Sequence, residues 1–327
     1  MAEIIGRQLE VGLAVESVRG TAKTTAESWL KNTTGHIIDK AEFADDNSVH
    51  GVIEDQDGRR VVKKWVEGEM EGIVGCNAVG YFLYNLYGKD TEATVTSGVY
   101  SHLFAMDETI IHNSLTLFVK DGGVQQLAIN NSMLSKFELT ATVDDYLRYK
   151  ATWLGKTSVA NATSPTCVAD YDFIGKDIVV KIATTEAGLA GATPLSCKEV
   201  GLTFDTGLIN DFVLGAYNPD DIYNAKLAIG GTIKKNFIDG TFKTLYQSDT
   251  YSYMSITITS ANAISTTYFP TITILLNKVA INSWDRSGGA DELVVEDIGF
   301  KAYYNATDAE ASTITLQNST AEYDTNT

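Results

Sequence analysis

The sequence predicts an all-β protein, and three features of its pattern support that prediction. Short blocks of alternating β-branched and aromatic residues recur along the chain, such as Leu115-Thr-Leu-Phe-Val119 and Ser255-Ile-Thr-Ile-Thr259. Gly, Asn, Asp and Ser cluster between these blocks, which is typical of antiparallel strands joined by turns. Only two segments have helical periodicity. We therefore expect β-sandwich or β-barrel domains, each with one short flanking α-helix.

The first predicted helix covers residues 77–87, where apolar side chains recur at the spacing of one helix face. Asn77 is its candidate N-cap and Gly88 its candidate C-cap, because these residue types satisfy the free backbone groups at helix ends. The second predicted helix is shorter, covers residues 239–246 and has Asp239 as its candidate cap. Everything else in the chain is predicted to be strand, turn or loop.

The two halves of the chain follow one plan. The interval between Gly68 and Gly231 is the same as that between Phe82 and Leu245, which lie in the two predicted helices, and it is about half the length of the chain. In both halves the glycine lies in an apolar-alternating block just upstream of the helix. A recurring order of this kind indicates internal duplication, and duplication changes the whole interpretation of a fold.

Two further matches lie downstream of the helices. Residues 114–117 resemble 255–258, and residues 149–151 resemble 300–302, both at a smaller offset than the glycines and helices. The smaller offsets imply an extra segment in the first half, around residues 89–112. We therefore expect a tandem duplication, with the polar, proline-containing stretch after the first copy as the linker. The predicted parts are domain 1–156, linker 157–166 and domain 167–327.

Composition limits the classes of function. The chain has 25 Lys and Arg against 42 Asp and Glu, a formal net charge of −17. This balance opposes static binding of nucleic acid, which needs cations to displace phosphate counterions. It does not oppose a passive channel for nucleic acid, because a wall that DNA slides past should repel it weakly, and we expect such a wall to be net negative. No apolar run reaches the roughly 18 residues of a membrane span, and the charged N-terminus lacks a secretory core, so we expect no membrane and a cytoplasmic site of synthesis.

No catalytic or metal-binding motif stands out. The four histidines, His36, His50, His102 and His112, do not have the spacing of metal ligands. The three cysteines, Cys76, Cys167 and Cys197, form no CxxC pair. Nucleophile elbows, Walker loops and dinucleotide fingerprints are missing from the sequence. We therefore predict a protein that is not an enzyme and that uses no cofactor or metal.

Two stretches resemble a known family. Residues 39–75, DKAEFADDNSVHGVIEDQDGRRVVKKWVEGEMEGIVG, resemble the long hairpin region of the tail tube proteins of siphophages, the long-tailed bacteriophages. Residues 201–237, GLTFDTGLINDFVLGAYNPDDIYNAKLAIGGTIKKNF, and 269–281, FPTITILLNKVAI, resemble the C-terminal part of the same family. The resemblance covers most of the chain but consists of strand, turn and glycine patterns without a catalytic signature.

The resemblance implies a structural virion protein that polymerises into stacked rings and conducts double-stranded DNA. Long strands of each domain would line the lumen, and adjacent subunits would close them into one barrel. The implied partners are copies of the chain itself, the tape measure protein in the lumen, and the tail terminator and tail-tip proteins. Because the chain contains two copies of the plan, we expect three chains per ring with pseudo-sixfold symmetry, with a ring of six chains as the alternative.

Two groups of residues are predicted to act in assembly. The candidates for an inter-subunit or inter-ring loop are Asp45, Asp46, Val49, Val52, Ile53, Glu54, Asp55, Asp57, Arg59 and Arg60. The candidates for the lumen hairpins are Lys63, Trp65, Glu67, Gly68, Glu69, Glu71, Lys226, Gly230, Gly231 and Lys234. The loop is polar and acidic, so we expect it to become ordered only on assembly, with three apolar anchors, Val49, Val52 and Ile53.

Other β-proteins remain as alternatives at this point. One is a different phage virion protein, such as a capsid decoration or tail-tip component. The other is a carbohydrate-binding or adhesin β-sandwich, although such sites generally combine exposed aromatic rings with paired carboxylates, and the sequence shows no such cluster.

Overall fold

The computed structural model describes residues 3, 5–54, 58–161 and 169–323 of the chain. Antiparallel strands dominate these residues, and two α-helices interrupt them, so the all-β prediction is confirmed. The first half contains β1 (Leu9–Val15), β2 (Ser28–Trp29), β3 (Asn32–Asp46), β4 (Gly58–Ile73), α1 (Val79–Tyr87), β5 (Gly88–Thr96), β6 (Val99–Met106), β7 (Leu115–Asp121), β8 (Gln125–Thr142), β9 (Arg148–Gly155) and β10 (Thr157–Ala160). The second half contains β11 (Ile178–Ala183), β12 (Cys197–Asp205), β13 (Ile209–Asp211), β14 (Asp221–Tyr223), β15 (Ala228–Asn236), α2 (Thr241–Tyr246), β16 (Ser252–Thr259), β17 (Thr271–Ser287), β18 (Val295–Ala302) and β19 (Ser312–Asn318).

Eight of these strands, four from each half, form one continuous antiparallel sheet. Their order across the sheet is β3, β4, β9, β8, β12, β15, β18, β17. We call this sheet the eight-stranded wall. One face of it is apolar, as the alternation of β12 illustrates: Val200, Leu202 and Phe204 are buried, whereas their neighbours are half-exposed. Successive side chains of a strand point to opposite faces, so this pattern gives the wall one core side and one uncovered side.

A second layer covers the core side of the wall. In the first half it consists of β2, β1, β7 and β10 together with the N-terminal part of β8. In the second half it consists of β11, β16 and β19 with the N-terminal part of β17. Helix α1 is buried along its whole length, and its Phe82 ring contacts Phe137, Tyr149 and Trp153 of the wall at centroid distances of 5.2–5.8 Å. Each half is therefore a two-layered β structure with one helix in it.

The two halves have the same order of strand pairing. β4 pairs with β9 and β15 pairs with β18, with Gly68 opposite Trp153 and Gly231 opposite Phe300. Both glycines are also in the same tight place, since an added Cβ on Gly68 would lie 2.1 Å from the His36 carbonyl oxygen, and one on Gly231 would lie 2.2 Å from the Gly201 carbonyl oxygen. The interval that recurs in the sequence thus joins two glycines that each lie against a carbonyl oxygen of the adjacent strand.

Bulges in the strands fix the sequence offset between the two halves downstream of the helices. A bulge separates Leu134 from Lys136 where β8 meets β9, and another separates Ile281 from Ser283 where β17 meets β18. The interval between these bulges equals that between Trp153 and Phe300. The predicted match of 149–151 with 300–302 is therefore four residues out of register, and so is that of 114–117 with 255–258. A slip by an even number of residues leaves the inside–outside pattern of a strand unchanged, so the sequence pattern alone does not detect it.

Two other predictions about the chain path meet different outcomes. The extra segment in the first half is the β5–β6 hairpin, which pairs through β6 with β19 of the second half. The predicted linker is wrong in its first four residues, because 157–160 form β10 and pair with residues 127–130 of β8. This strand continues the path of β9 along the same edge of β8. The remainder of the predicted linker, apart from residue 161, lies outside the described residues.

The helix ends follow the predictions in part. Gly88 closes α1 in the left-handed conformation, at φ 78°, and donates its backbone N–H to Tyr84. Asn77 does not cap the start of α1: the Asp170 carboxylate accepts the backbone N–H groups of Asn77 and Ala78 instead. A carboxylate from a distant part of the chain therefore satisfies this helix end. Asp239 lies one residue before the N-cap of α2, which is Gly240, and its carboxylate accepts the Thr241 backbone N–H at 2.9 Å.

We expect Gly68→Ala to destabilise the free subunit, because its new Cβ would overlap the backbone of β3. The expected loss is about 1–3 kcal/mol, typical of overpacking in an unyielding place. Gly58→Ala in the same strand is the matched control, since nothing lies within 4 Å of a Cβ there. Its expected effect is below about 0.5 kcal/mol. Urea denaturation of unassembled protein measures both; equal losses would contradict the close approach at Gly68.

Candidate assembly surfaces

The uncovered side of the wall is polar and charged, and we call it the open face. Its side chains alternate with core-side ones on every strand of the wall, as the register of the strand pairs shows. Its acidic residues are Glu42, Glu67, Glu69, Glu71, Glu138, Glu199, Asp205, Asp285 and Asp297. Its basic residues are Lys40, Lys63, Lys136, Arg148, Lys150, Lys234 and Lys301. Among described residues, Phe212 also reaches this face, where its ring contacts Trp65 and lies 5.3 Å from the Lys63 ammonium.

Ion pairs cross from strand to strand over the open face. Lys150 Nζ lies 3.0 Å from Glu69 Oε2 and 3.4 Å from Glu71 Oε1, which joins β9 to β4. Lys40 Nζ lies 3.2 Å from Glu67 Oε1, which joins β3 to β4. These groups are roughly half-exposed, so each pair contributes little stability, but together they favour one strand register. Acidic residues outnumber basic ones on this face only slightly, much less than in the whole chain.

Two pKa shifts on the open face have clear causes. The Trp65 indole donates its N–H to the Glu67 carboxylate at 2.8 Å and, with a smaller effect of Lys40, lowers the pKa of that carboxyl group. The neighbouring Glu69 and Glu71 carboxylates raise the pKa of the Lys150 ammonium. Both shifts favour the charged forms, so Glu67 and Lys150 carry opposite charges on this face at neutral pH.

The structure places the predicted lumen residues on both sides of the wall. On the open face lie Lys63, Trp65, Glu67, Glu69, Glu71, Gly230 and Lys234, whereas Gly68 and Gly231 face the core. Lys226 precedes β15 and lies 3.6 Å from Asp205 of the open face. The open face also includes side chains of β8, β9, β12, β17 and β18, which the sequence prediction did not name. Strict alternation in residues 136–142, where Lys, Glu and Thr separate Phe, Leu and Ala, is the signal that could have identified β8.

The predicted assembly loop is shorter than expected, because the hairpin of β3 and β4 extends into it. Asp45 and Asp46 are strand residues opposite Arg59 and Gly58. The Arg59 guanidinium lies over the Phe43 ring at 4.1 Å, so within the chain it is held by an aromatic ring. Arg60 lies in β4 opposite Ala44. These residues form the stem of the projection, and its loop begins after Asp46.

The loop itself exposes apolar side chains. Val49 is 94% exposed, Val52 63% and Ile53 102%. Glu54 is also exposed, and Asp55 and Asp57 lie outside the described residues. Apolar side chains at the end of a projecting hairpin gain nothing from the fold of their own chain. They form a surface that another protein can cover.

The wall ends in two unpaired edges. On one side, β3 pairs only with β4 among the described residues, and Ile38 in it is 51% exposed. On the other side, β16 covers one edge of β17 as far as Val279. Beyond this point β18 is the only strand paired with β17 in the described part of the chain, and helix α2 packs close to it. Free backbone N–H and C=O groups on such edges are templates for pairing with another strand.

A buried ion pair lies on the core side of the β17 edge. The Lys235 ammonium contacts the Glu296 carboxylate, and their side chains are 6% and 0% exposed. The second oxygen of that carboxylate accepts the Trp284 indole N–H at 2.9 Å. Phe242 of α2 lies 5.1 Å from the same ammonium. This polar cluster holds β15, β17, β18 and α2 together at the end of the wall.

The described residues contain no helix that is both long and apolar enough to cross a membrane. Nor do His, Cys, Asp or Glu residues gather in threes as a metal-holding group in this part of the chain. What the fold presents is two free strand edges, an uncovered charged face and an apolar hairpin loop. These features define an assembling structural protein.

Comparison with known proteins identifies the family to which this structural protein belongs. The model of the phage tail tube protein family matches residues 6–317, and the chain belongs to that family. A similar solved structure is the SPP1 tail tube, determined by solid-state NMR and cryo-electron microscopy. The two sequences are 15% identical, and the match covers 47% of this chain and 81% of that chain, with a TM-score of 0.29. No curated protein sequence matches. The protein is thus a structural component of the phage tail, and the tail tube prediction is confirmed.

We expect Lys235 and Glu296 at the β17 edge to stabilise the free subunit only as a pair. Glu296→Leu leaves the Lys235 ammonium buried without its partner, which costs about 3–5 kcal/mol of unfolding free energy. The double variant Lys235→Met with Glu296→Leu removes both charges, and we expect it to recover most of that loss. Thermal unfolding of the free subunit measures both variants. A double variant as unstable as the single one would contradict this explanation.

Proposed function

We propose that three copies of this chain close into one ring of the tail tube and that each chain supplies two tube domains. The observation that carries the proposal is the pairing of β8 with β12. It joins the two halves edge to edge inside one chain and leaves an edge of each half, β3 and β17, without a partner among the described residues. If the junction between chains copies the junction within a chain, the two domains alternate around a closed wall, and a ring of three chains has pseudo-sixfold symmetry.

The size of the closed wall supports three chains. Three eight-stranded walls give a barrel of twenty-four strands. With strands about 4.8 Å apart and tilted by about 40°, its backbone diameter is about 45–50 Å, which leaves room for a DNA duplex after the side chains are added. Six chains that each contributed all eight strands of the wall would give a barrel about twice as wide. The ring of six chains therefore remains the weaker alternative.

In this proposal the two halves are tandem tube domains. The repeated order of strand pairing and the close approach of both Gly68 and Gly231 to a carbonyl oxygen of the adjacent strand support a duplication. The first domain then extends to Ala160 at the end of β10, a few residues beyond the boundary at 156 drawn from sequence, and the second begins after the predicted linker.

The open face lines the lumen. Its side chains alternate in charge and are mostly paired with each other, so the wall offers a moving polyanion no continuous cationic track. Double-stranded DNA then passes without being held, and the tape measure protein occupies the same lumen before ejection. The function is mechanical, and the protein is not an enzyme.

The loop of the β3–β4 hairpin joins successive rings. It projects from the stem formed by Phe43, Arg59 and their neighbours, and its exposed apolar side chains need a cover that the free subunit lacks. The tail terminator and tail-tip proteins cap the two ends of the stack. Assembly takes place in the host cytoplasm, with the virion tail as the final location.

Symmetry analysis of purified tubes by cryo-electron microscopy tests the number of chains. We expect three chains per ring and a pseudo-sixfold wall in which two types of domain alternate. Mass measurement of single rings provides an independent check, with an expected ring mass three times the 35.5 kDa of the chain. Six chains per ring, each with one domain at the lumen, would overturn the proposal.

We expect replacement of Val49, Val52 and Ile53 by serine to prevent stacking without loss of subunit stability. These side chains are 63–102% exposed in the free subunit and contribute nothing to its core. Tube yield by electron microscopy and the melting temperature of the monomer measure the two effects. Amide exchange over residues 45–54 should also slow on assembly. If the monomer loses stability in proportion to assembly, the loop belongs to the subunit's own core.

A control variant separates the loop from exposed apolar surface in general. Val124 is 68% exposed in the turn between β7 and β8, away from the hairpin. Val124→Ser should leave both stacking and stability unchanged. A loss of stacking in this control would show that assembly responds to exposed apolar area anywhere on the surface.

A further inference from the structure

The two free edges of the wall have a definite register for each other. We infer that residues 283–287 of β17 pair antiparallel with residues 36–40 of β3 in the neighbouring copy of the chain, in the register that β8 and β12 use inside one chain. This inference rests on the proposed ring. It names the residues that form each junction between chains, which we call the seam.

The register of the β8–β12 junction can be transferred to the seam because each of its two strands has a counterpart in the other half of the chain. β8 corresponds to β17, with Leu134 equivalent to Ile281, since the bulges after these two residues coincide in the pairing with β9 and β18. β12 corresponds to β3, with Leu202 equivalent to Ile37, since Leu202 lies opposite Gly231 and Ile37 lies opposite Gly68. The transfer therefore requires β17 to pair with β3, and these two strands are the free edges of the wall.

Transfer of the register gives a specific set of partners. Within the chain, Lys136 lies opposite Asp205, Phe137 opposite Phe204 and Glu138 opposite Thr203. The corresponding pairs of the seam are Ser283 with Lys40, Trp284 with Asp39, Asp285 with Ile38, Arg286 with Ile37, and Ser287 with His36 of the neighbouring chain.

In the seam, core-side residues of one chain lie opposite core-side residues of the next, and open-face residues lie opposite open-face residues. On the core side, half-buried Trp284 and exposed Arg286 of one chain meet Asp39 and half-buried Ile37 of the next. On the open face, Asp285 meets exposed Ile38. A register shifted by one residue would instead bring core-side residues against open-face residues, so parity alone excludes it.

Charges support the same pairing. Arg286 on the core side has the Asp39 carboxylate of the next chain as its diagonal neighbour, and Asp285 on the open face has Lys40 as its diagonal neighbour. Diagonal neighbours across antiparallel strands are within reach of long side chains. In the free subunit the Arg286 guanidinium lies over Phe237 at 4.9 Å, and Asp39 accepts only the Ser158 hydroxyl at 2.7 Å among the described contacts.

The seam differs in chemistry from the junction it copies. The internal junction places Phe137, Leu139 and Ala141 against buried apolar residues of β12, as part of one core. The seam places Arg286 where Leu139 lies in the internal junction and Asp39 where Phe204 lies, beside Trp284 and Ile37. Charged residues on a free edge oppose uncontrolled pairing, so a released subunit stays separate until a correct neighbour aligns with it.

Disulfide trapping in assembled tubes tests the register. In a chain with Cys167→Ser and Cys197→Ser, we introduce Ile38→Cys and Asp285→Cys, which lie directly opposite each other in the proposed seam. Directly opposed side chains meet the distance limits of a disulfide, whereas diagonal ones exceed them. Mild oxidation should therefore link chains around the ring, and non-reducing electrophoresis should show products that end at three chains.

The control pair is Lys40→Cys with Asp285→Cys, which would be directly opposed only if the strands slipped by two residues. We expect it to link at least about tenfold more slowly. Faster linking of this pair, or no linking of the first pair in tubes that form normally, overturns the register and leaves the tail tube function intact. If the unsubstituted chain forms no rings at all, the proposed function itself fails.

A charge exchange tests the seam without cysteines. Arg286→Asp places two carboxylates near each other in every seam, and Asp39→Arg places two guanidinium groups there. Each should lower tube yield at least about tenfold, and the double variant should restore it to within about twofold. Monomer melting temperatures should fall far less than tube yield, since both residues are exposed. Among the described contacts, the variants lose only those of Arg286 with the Phe237 and Trp284 rings and the Ser158 hydrogen bond to Asp39. A double variant no better than the single ones would place these two residues in different interfaces and overturn the register.

Discussion

Edge-to-edge strand pairing is the constraint on which the rest of this structure depends. A sheet presents unpaired backbone groups at its edges, and a folded protein must cover, blunt or pair them. Here one edge of each half is paired with the other half, through β8 and β12, and the core is continuous across that junction. The long hairpin, the second layer and the buried helix all serve to keep the remaining two edges in place and accessible.

Close packing around two glycines sets the course of the wall. Gly68 and Gly231 allow neighbouring backbones to approach where a side chain would overlap a carbonyl oxygen, and each lies opposite a large buried aromatic residue of the adjacent strand. The polar cluster of Lys235, Glu296 and Trp284 has a different role, since it fixes the end of the wall with directional contacts. Apolar packing thus forms the inside of the chain, and charged groups form its borders.

The sequence pattern was sufficient for the fold class, for both helices and for the glycine correspondence, because each depends on local periodicity. It was insufficient where distant residues decide. Asp170 replaces Asn77 at the start of α1 and comes from the other half of the chain. Strand β10 is polar and contains few apolar residues, so it resembles a linker until β8 offers it an edge. The lumen candidates were drawn from one hairpin in each half, whereas the open face extends over eight strands whose order no single segment reveals.

The β5–β6 hairpin belongs to only one of the two halves, and it lies on β19 of the other. In the ring that we propose, two tandem domains are joined in one polypeptide, so such an addition arises once per pair of domains. A tube made of identical single domains would have to carry it six times around each ring. The exterior of the proposed ring presents three equal landmarks on a wall of six similar domains, and a protein that attaches from outside has three orientations available to it.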